Sequence, residues 1–510
     1  MKKMILGLVL LIAANGIYGQ TLKTTIGDDS PNGDFLLLMN NGSVVYETYT
    51  KKESFPAITI FDADLKKIAE KELVYTSKAL SEYNRNKRKK TYLRKAFAIN
   101  NKIVLFISFY DEGEKSSSLG RVIVNPLTAE IEKEDVLFTM NRGYESDAEL
   151  KGIDNPDILF SKDDNSDYYA IIKYVHQKKS YGNGKNYEIF HYSPEHKDIT
   201  NINFDYVNKK YECARPLSLL VFADKYLIIS SFAFNSEKQG TIGNKFVISK
   251  LEKGTKTFIH KEIDYQNNYK TDKCLMQWNE KNKIIEALVY TQVGKDKVAF
   301  MTGLNTYLAL IFQNIEPEKL ELTKPYELPY NMLNEYVTKR VEKKKGYDKS
   351  MIDNFQIESN GKNLALLAPQ NGLHGLVEFD VNGKELNAWA YPNTFVSFFP
   401  VTNSKGVFAI IDEMETNMET PINNKFDSYD NARSRSPVLL TLKENGDVLK
   451  EYIFGKPERK KYSEFAVKYY DKKSNTIVGI LYSGQNDIKV GLDRHSRGET
   501  IEKLVKISFK

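Results

Sequence analysis

Apolar and polar residues alternate in short runs along nearly the whole chain, and the runs come in pairs joined by tight polar turns. The segment 375–391, GLVEFDVNGKELNAWAY, shows the unit. Leu376, Glu378 and Asp380 fall on one side, Val377 and Phe379 on the other; Asn382-Gly383 turns the chain, and a second run leaves through Leu386 and Trp389. Asn-Gly between two alternating runs predicts a hairpin whose central residues both take positive φ. The pattern recurs at Phe61, Val124, Tyr192, Ile248, Ile311, Phe379 and Leu442, with a last strand, KLVKISFK, centred near Ile507. Seven intervals from Phe61 to Ile507 give a period of about 64 residues.

A second hairpin precedes each of these, as in FAINNKIVLFISFY, SLLVFADKYLIISSFAF and FQIESNGKNLALLAP. Four strands per period make an all-β chain of small antiparallel sheets. Such sheets cannot bury their faces alone and must pack side by side around an axis. The last period holds three strands, FAVKYY, TIVGILYS and KLVKISFK, and a spare strand, TLKTTI, lies at 21–26. Pairing the two ends would close the ring and remove its exposed edges. The expectation is eight four-stranded blades closed by the N- and C-terminal strands, with seven blades the alternative if the first or fifth period is misread. Residues 20–510 then form one domain despite the length.

The first residues stand apart from this pattern. Lys2 and Lys3 precede an apolar run from Ile5 to Ala14, too short to span a bilayer but right for a secretory leader. Cleavage after Gly19 would make 1–19 a signal peptide and place the chain in the periplasm or at the cell surface. No later stretch reaches eighteen apolar residues, so no transmembrane segment is expected. Removing the leader takes the net charge from +6 to about +4, no argument for nucleic acid. Two cysteines, Cys213 and Cys274, lie about one period apart. Two separate buried thiols is the favoured reading, with a disulfide between neighbouring repeats still open.

The connections differ by edge. Turns between the first and second and between the third and fourth strands are short: Asn100-Asn101, Ala223-Asp224, Asn360-Gly361, Asn382-Gly383 and Asn445-Gly446. The remaining connections are long, among them 111–119, 177–186, 235–244 and 412–436, with 77–95 and 329–350 between repeats. Long loops on a rigid scaffold are where binding residues gather. In 329–350, Leu333, Tyr336, Val337 and Val341 have helical spacing, which predicts a short helical insertion near 331–345. Three long connections are basic and supply the candidate partner-binding residues: Arg85, Arg88, Lys89 and Lys90; Arg340 and Lys344; Arg433 and Arg435. They suit an anionic partner, such as an acidic glycan, a lipid head group or an acidic protein surface. A solvated loop is the plainer account of the same charges.

Chemical motifs are few. Asp28, Ser30, Asn32 and Asp34 have oxygen ligands at alternate positions, with Gly33 sixth in the run, as at the start of a calcium loop. The twelfth position is Met39 rather than Glu, so the EF-hand pattern fails, and calcium remains a possible cofactor on the first four residues alone. Asp163 to Asp167, DDNSD, has similar spacing without a glycine. The six histidines show no metal-binding spacing. No nucleophile elbow, P-loop or dinucleotide fingerprint is present. Asp412 and Glu413 follow an apolar strand and could act as acid or base, as could many of the 67 acidic residues.

The repeated hairpins resemble the β-propeller superfamily over nearly all of the chain after the leader. The turns DADLKK, VNGKEL and KENGDVL look like the outer turns of propellers in exported envelope proteins of Gram-negative bacteria. No WD dipeptide or kelch glycine pair appears, so the resemblance carries an architecture and no functional residue. The expected function is a monomeric, non-catalytic binding or scaffold protein whose long-loop edge meets a protein or anionic glycan of the cell envelope. The alternative is a glycan hydrolase or lyase with its site at the ring axis.

Overall fold

The structure is a computed structural model. It describes residues 22–31, 33–48, 56–84, 89–111, 113–114, 116–141, 158–174, 187–204, 211, 213–234, 245–264, 269–293, 307–329, 332, 335, 351–358, 362–368, 373–392, 395–403, 406–414, 435–443, 448–455, 461–485 and 501–509.

The described chain is built from antiparallel strands in sequence order. The first sheet takes β2 (Gly33–Leu38), β3 (Val44–Thr48), β4 (Ala57–Phe61) and β5 (Lys67–Glu72). The second takes β6 (Lys89–Ile99), β7 (Lys102–Asp111), β8 (Ser116–Val124) and β9 (Ile131–Asn141). The third takes β10 (Ile158–Lys162), β11 (Tyr169–Tyr174), β12 (Tyr187–Tyr192) and β13 (Asp198–Phe204). The fourth takes β14 (Cys213–Phe222), β15 (Tyr226–Phe234), β16 (Lys245–Glu252) and β17 (Ile259–Ile263). The fifth takes β18 (Tyr269–Asn279), β19 (Ile284–Val293) and β20 (Tyr307–Glu316), with an outer strand in two pieces, β21 (Glu321–Leu322) and β22 (Tyr326–Pro329). The sixth takes β23 (Met351–Glu358), β24 (Lys362–Ala368), β25 (Leu373–Asp380) and β26 (Glu385–Pro392).

Two further four-stranded units follow. One is β27 (Phe395–Asn403), β28 (Gly406–Met414), β29 (Arg435–Leu442) and β30 (Val448–Tyr452). The terminal unit is β31 (Lys461–Asp471), β32 (Thr476–Gln485) and β33 (Ile501–Phe509), completed by β1 (Leu22–Asp29) from the other end of the chain. A single parallel bridge, Arg435 with Tyr462, joins these two units into one hydrogen-bonded sheet. The pairing of TLKTTI with KLVKISFK is observed, running antiparallel from Leu22↔Phe509 to Ile26↔Val505.

The inner strands are more apolar than simple alternation implies, because both of their faces are covered. In β3, Val45 packs with Ile58 against Ile103 and Leu105 of the second sheet. Its neighbours Val44 and Tyr46 pack the other way, on Val478, Ile480 and Leu504 of the terminal unit. In β7, Val104 and Phe106 turn instead toward Ile171 and Phe190 of the third sheet. The series continues with Ile172 and Ile189 on Leu227 and Val247, and with Ile228 and Ile248 on Ile285 and Ile311. It ends with Trp389 on Val438, and Phe408 on Phe465. Between the fifth and sixth sheets Phe312 meets Phe379 at 5.7 Å. Each sheet therefore covers the next, and the terminal unit covers the first. Only outer strands such as β5 are mostly exposed, and there lysine and glutamate replace the apolar residues.

Of the short turns named above, those at Asn100-Asn101, Ala223-Asp224 and Asn382-Gly383 are described, and only the first has positive φ at both residues; Asn360-Gly361 and Asn445-Gly446 lie outside the described residues. Asn100 and Asn101 both have positive φ, 48° and 56°, as a two-residue hairpin requires. At Asn382-Gly383 only Gly383 does, at 81°. There the Asp380 carboxylate accepts hydrogen bonds from the amides of Asn382 (2.8 Å) and Lys384 (2.9 Å), stabilising a longer turn with a register shift at Glu378/Phe379. A side-chain cap has replaced the tighter turn. Met332 and Glu335 are helical; the remainder of 331–345, and the leader, lie outside the described residues.

Candidate functional site

The expected long connection at 111–119 is mostly strand, with β7 running to Asp111 and β8 starting at Ser116, and β26 and β27 are separated only by 393–394. On the short-turn edge, turns from sheets that are not neighbours meet. The ammonium of Lys473, between β31 and β32, donates to the carbonyl of Asp164, between β10 and β11. Lys472 donates to Gln277 Oε1 at the end of β18, 3.2 Å. Asn165 reaches Glu280 Oε2 at 3.3 Å. Neighbouring turns are tied too, with Asn100 N donating to Asp167 Oδ2 (2.8 Å) and Ala223 N to Asp163 Oδ2 (3.0 Å). The DDNSD run, a possible calcium loop by spacing, thus spends its oxygens on backbone amides and bracing contacts.

The opposite edge carries the long connections. A polar cleft of about 430 Å³ lies where the terminal unit meets the first sheet, bordered by the end of β4 and the start of β5 at the short 62–66 turn. One wall is the end of β1 and the residues after it, Asp28 to Pro31, with Lys503 from β33. The other is the outer half of the first sheet, Lys67 and Glu70 on β5, with Thr48 and Thr59 as the floor. The end of β1 runs beside the short 62–66 turn that joins β4 to β5, and Asp29 pairs in register with Lys503. The wall is fixed by backbone contacts: Asp28 N donates to Leu65 O (3.0 Å) and Ser30 N to Glu502 O (2.9 Å). Asp28 Oδ2 accepts from Lys67 N at 2.8 Å, Lys67 pairs with Glu70 at 2.9 Å, and Lys503 with Asp29 at 2.7 Å. The Thr48 and Thr59 hydroxyls bond each other at 2.6 Å.

Of the four proposed metal ligands, Asp28 and Ser30 line this cleft. Asp34 stands at the start of β2, in register with Glu47, and Asn32 lies outside the described residues. Burial, and then the charge of Asp34, hold the Glu47 carboxyl above the usual range. Among the described residues no cluster of three or more His, Cys, Asp or Glu is placed to hold a metal. Lys89 and Lys90 begin β6, and Arg435 begins β29, at the long-connection edge. Arg85, Arg88, Arg340, Lys344 and Arg433 lie outside the described residues. Cys274 is a free, buried thiol, raised by burial to about 12.

Two polar clusters have no signature in the sequence. Arg121 on β8 is 5% exposed and holds Asp135 of β9 through Nε at 2.9 Å. Its Nη1 donates to Tyr169 Oη at 2.6 Å, and that hydroxyl lies 3.0 Å from His196 Nδ1. The direction of the Tyr169–His196 bond follows the imidazole tautomer: the hydroxyl donates to Nδ1 when the ring carries its proton on Nε2, and accepts when it is carried on Nδ1. Burial, then the charges of Arg121 and Lys133, lower His196 to about 4. Burial alone would raise Asp135, but its bond to Arg121 and the charge of that residue hold it below the usual range. The cluster clamps the second sheet to the third.

The other cluster lies on the face of the fifth sheet toward the sixth. Glu286 of β19 is 3% exposed; one oxygen accepts from Asn279 Nδ2, and Oε2 has no partner among the described residues. Its cross-strand neighbour Asn314 donates to Asn382 Oδ1 at 3.0 Å, with its own Oδ1 likewise unpartnered among the described residues. Burial raises Glu286 to about 7, opposed in part by Asn279 and Lys472.

No protein-family profile matches the chain, and no curated protein sequence matches it. Among solved structures it is similar to a post-proline cleaving enzyme from Rickettsia typhi, with 11% identity and a TM-score of 0.40 over 90% of this chain and 58% of that one. It is similar to the polysaccharide lyase Uly1, with 8% identity and a TM-score of 0.40 over 81% and 89%. It is also similar to the β-propeller domain of the Trilobed protease from Pyrococcus furiosus, with 11% identity and a TM-score of 0.34 over 80% and 96%. The chain thus spans less than three fifths of the length of the Rickettsia enzyme. The account of the fold rests on the strand pairing and packing described above.

Proposed function

We propose that this chain is an exported β-propeller of eight blades, the last completed by β1, that binds a protein or glycan of the cell envelope through its long-connection edge. The observation that carries this reading is the asymmetry of the edges. Short turns from the third, fifth and terminal sheets brace one another through Lys473, Lys472 and Asn165, while the variable connections share the other edge. A braced base under an elaborated edge is how a rigid scaffold presents a binding surface. The basic residues of connections 77–95, 330–350 and 415–434 would add charge complementarity to it.

Site-specific photo-crosslinking in the envelope tests this. Probes at Lys90 and within 415–434 are expected to capture a partner, and probes at Lys283 and Lys473 are not. Capture only from the second pair would overturn the reading.

One observation favours the alternative of a glycan hydrolase or lyase: Glu286, held near 7, has a value suited to proton transfer. Release of reducing or unsaturated ends from polysaccharides that is lost in Glu286→Gln would establish that reading. Its near-complete burial makes a structural role the better account.

A further inference from the structure

We propose that the cleft between the terminal unit and the first sheet is a binding site for a neutral saccharide, a reading that rests on the binding function above and adds a ligand class to it. The volume of about 430 Å³ lies in the range of small-molecule sites. The chemistry of the walls narrows the choice. Three carboxylates face it, those of Asp28, Asp29 and Glu70, together with two ammonium groups, those of Lys67 and Lys503.

Among the described residues, each carboxylate has one oxygen engaged and one left over. Asp28 spends Oδ2 on Lys67 N, Asp29 spends Oδ1 on Lys503, and Glu70 spends Oε2 on Lys67. Each ammonium carries three donors, so the lysines keep capacity beyond these pairs. Of the two threonine protons on the floor, one is used in the mutual bond. The cleft therefore offers both strong acceptors and strong donors.

A calcium ion would need six or more oxygens without adjacent ammonium groups, and Lys67 and Lys503 stand in the way. An anion would meet three carboxylates against two cations. An apolar ligand would strand every one of these groups. A sugar hydroxyl donates to a carboxylate and accepts from an ammonium at once, so a polyol satisfies both sets without breaking the ion pairs. Pro31 adds a small apolar surface of the kind a pyranose face requires.

Calorimetry and saturation-transfer NMR on the whole chain test this with defined probes: a panel of neutral mono- and disaccharides, galacturonate, glycine and calcium chloride. Binding by a neutral saccharide is expected, weakened about tenfold in Glu70→Gln, since a lost hydrogen bond to a charged group has roughly that effect. Lys503→Met, at the opposite wall, is expected to act likewise; Glu70 is exposed and Lys503 half-buried, so a urea midpoint equal to that of the parent is to be checked for both. The proposal is overturned if galacturonate, glycine or calcium binds in place of neutral saccharides. It is also overturned if no probe binds, or if saccharide binding is unchanged in both variants. None of these outcomes alters the crosslinking pattern from Lys90 and 415–434, so this site and the broader binding reading fail separately.

Discussion

Leu22 and Phe509 stand opposite each other in antiparallel register, so the first and last described residues of the chain are cross-strand neighbours. β33 has β32 on one side and β1 on the other. Removing 22–29 would leave its outer edge unpaired, a template for another chain. The shortened protein is expected to unfold at lower urea and to self-associate, measured by denaturation and light scattering. An unchanged midpoint and a monodisperse monomer would show that β1 is dispensable.

Gly383 is set by both its backbone and its neighbours. Its φ is 81°, and a Cβ there would lie 2.5 Å from the Tyr326 ring and 2.7 Å from Phe312. Gly383→Ala combines left-handed strain with overpacking and should destabilise by ~2 kcal/mol or more. Gly254 shares the positive φ but has open space around it, so Gly254→Ala should cost less. Equal losses at the two sites would refute the packing argument.

His196 makes the fold acid-sensitive. Its folded value of about 4 lies below the ordinary 6.5, so the unfolded chain takes up a proton that the folded chain refuses. The stability it contributes is complete above 6.5 and is lost progressively as the pH falls toward 4. His196→Asn keeps a residue that tolerates the observed φ of 67°. It should flatten the urea midpoint between pH 6.5 and 4, whereas a slope equal to that of the parent would exclude His196 as its source.

Glu286 works in the opposite direction. Its folded value of about 7 lies above the ordinary 4.5, so the folded chain holds the proton longer. Its contribution is complete below 4.5 and declines as the pH rises through 7. Glu286→Gln should therefore stabilise the protein at pH 8 by roughly 2–3 kcal/mol relative to the parent and leave it little changed at pH 4. Destabilisation by Gln at pH 8 would mean that the carboxylate has a partner beyond the described residues.

The hairpins were legible because turn chemistry and strand pattern are local. Asn100-Asn101 and the spare strand TLKTTI could be read without knowing what they touch. The Asn382-Gly383 turn was not, because the deciding atom is the Asp380 carboxylate, and sequence spacing does not say which way an aspartate turns. The cleft needs Asp28 and Lys503, from opposite ends of the chain, so no window of sequence holds it. The Arg121 clamp gathers Asp135, Tyr169 and His196 from three strands and a turn. Its members look like ordinary surface residues until two sheets are brought face to face. Of the basic residues singled out for binding, Lys89, Lys90 and Arg435 are placed at the long-connection edge.

The braces of the short-turn edge have a kinetic consequence. Lys473 and Asp164 are 309 residues apart, and Lys472 and Gln277 are 195 apart. Contacts of such separation cannot form until the sheets between them are in place, so they belong to the native side of the folding barrier. Removing them, as in Lys473→Met, should speed unfolding while leaving the refolding rate nearly unchanged. The braced short-turn edge would then govern how long the folded protein persists rather than how fast it forms.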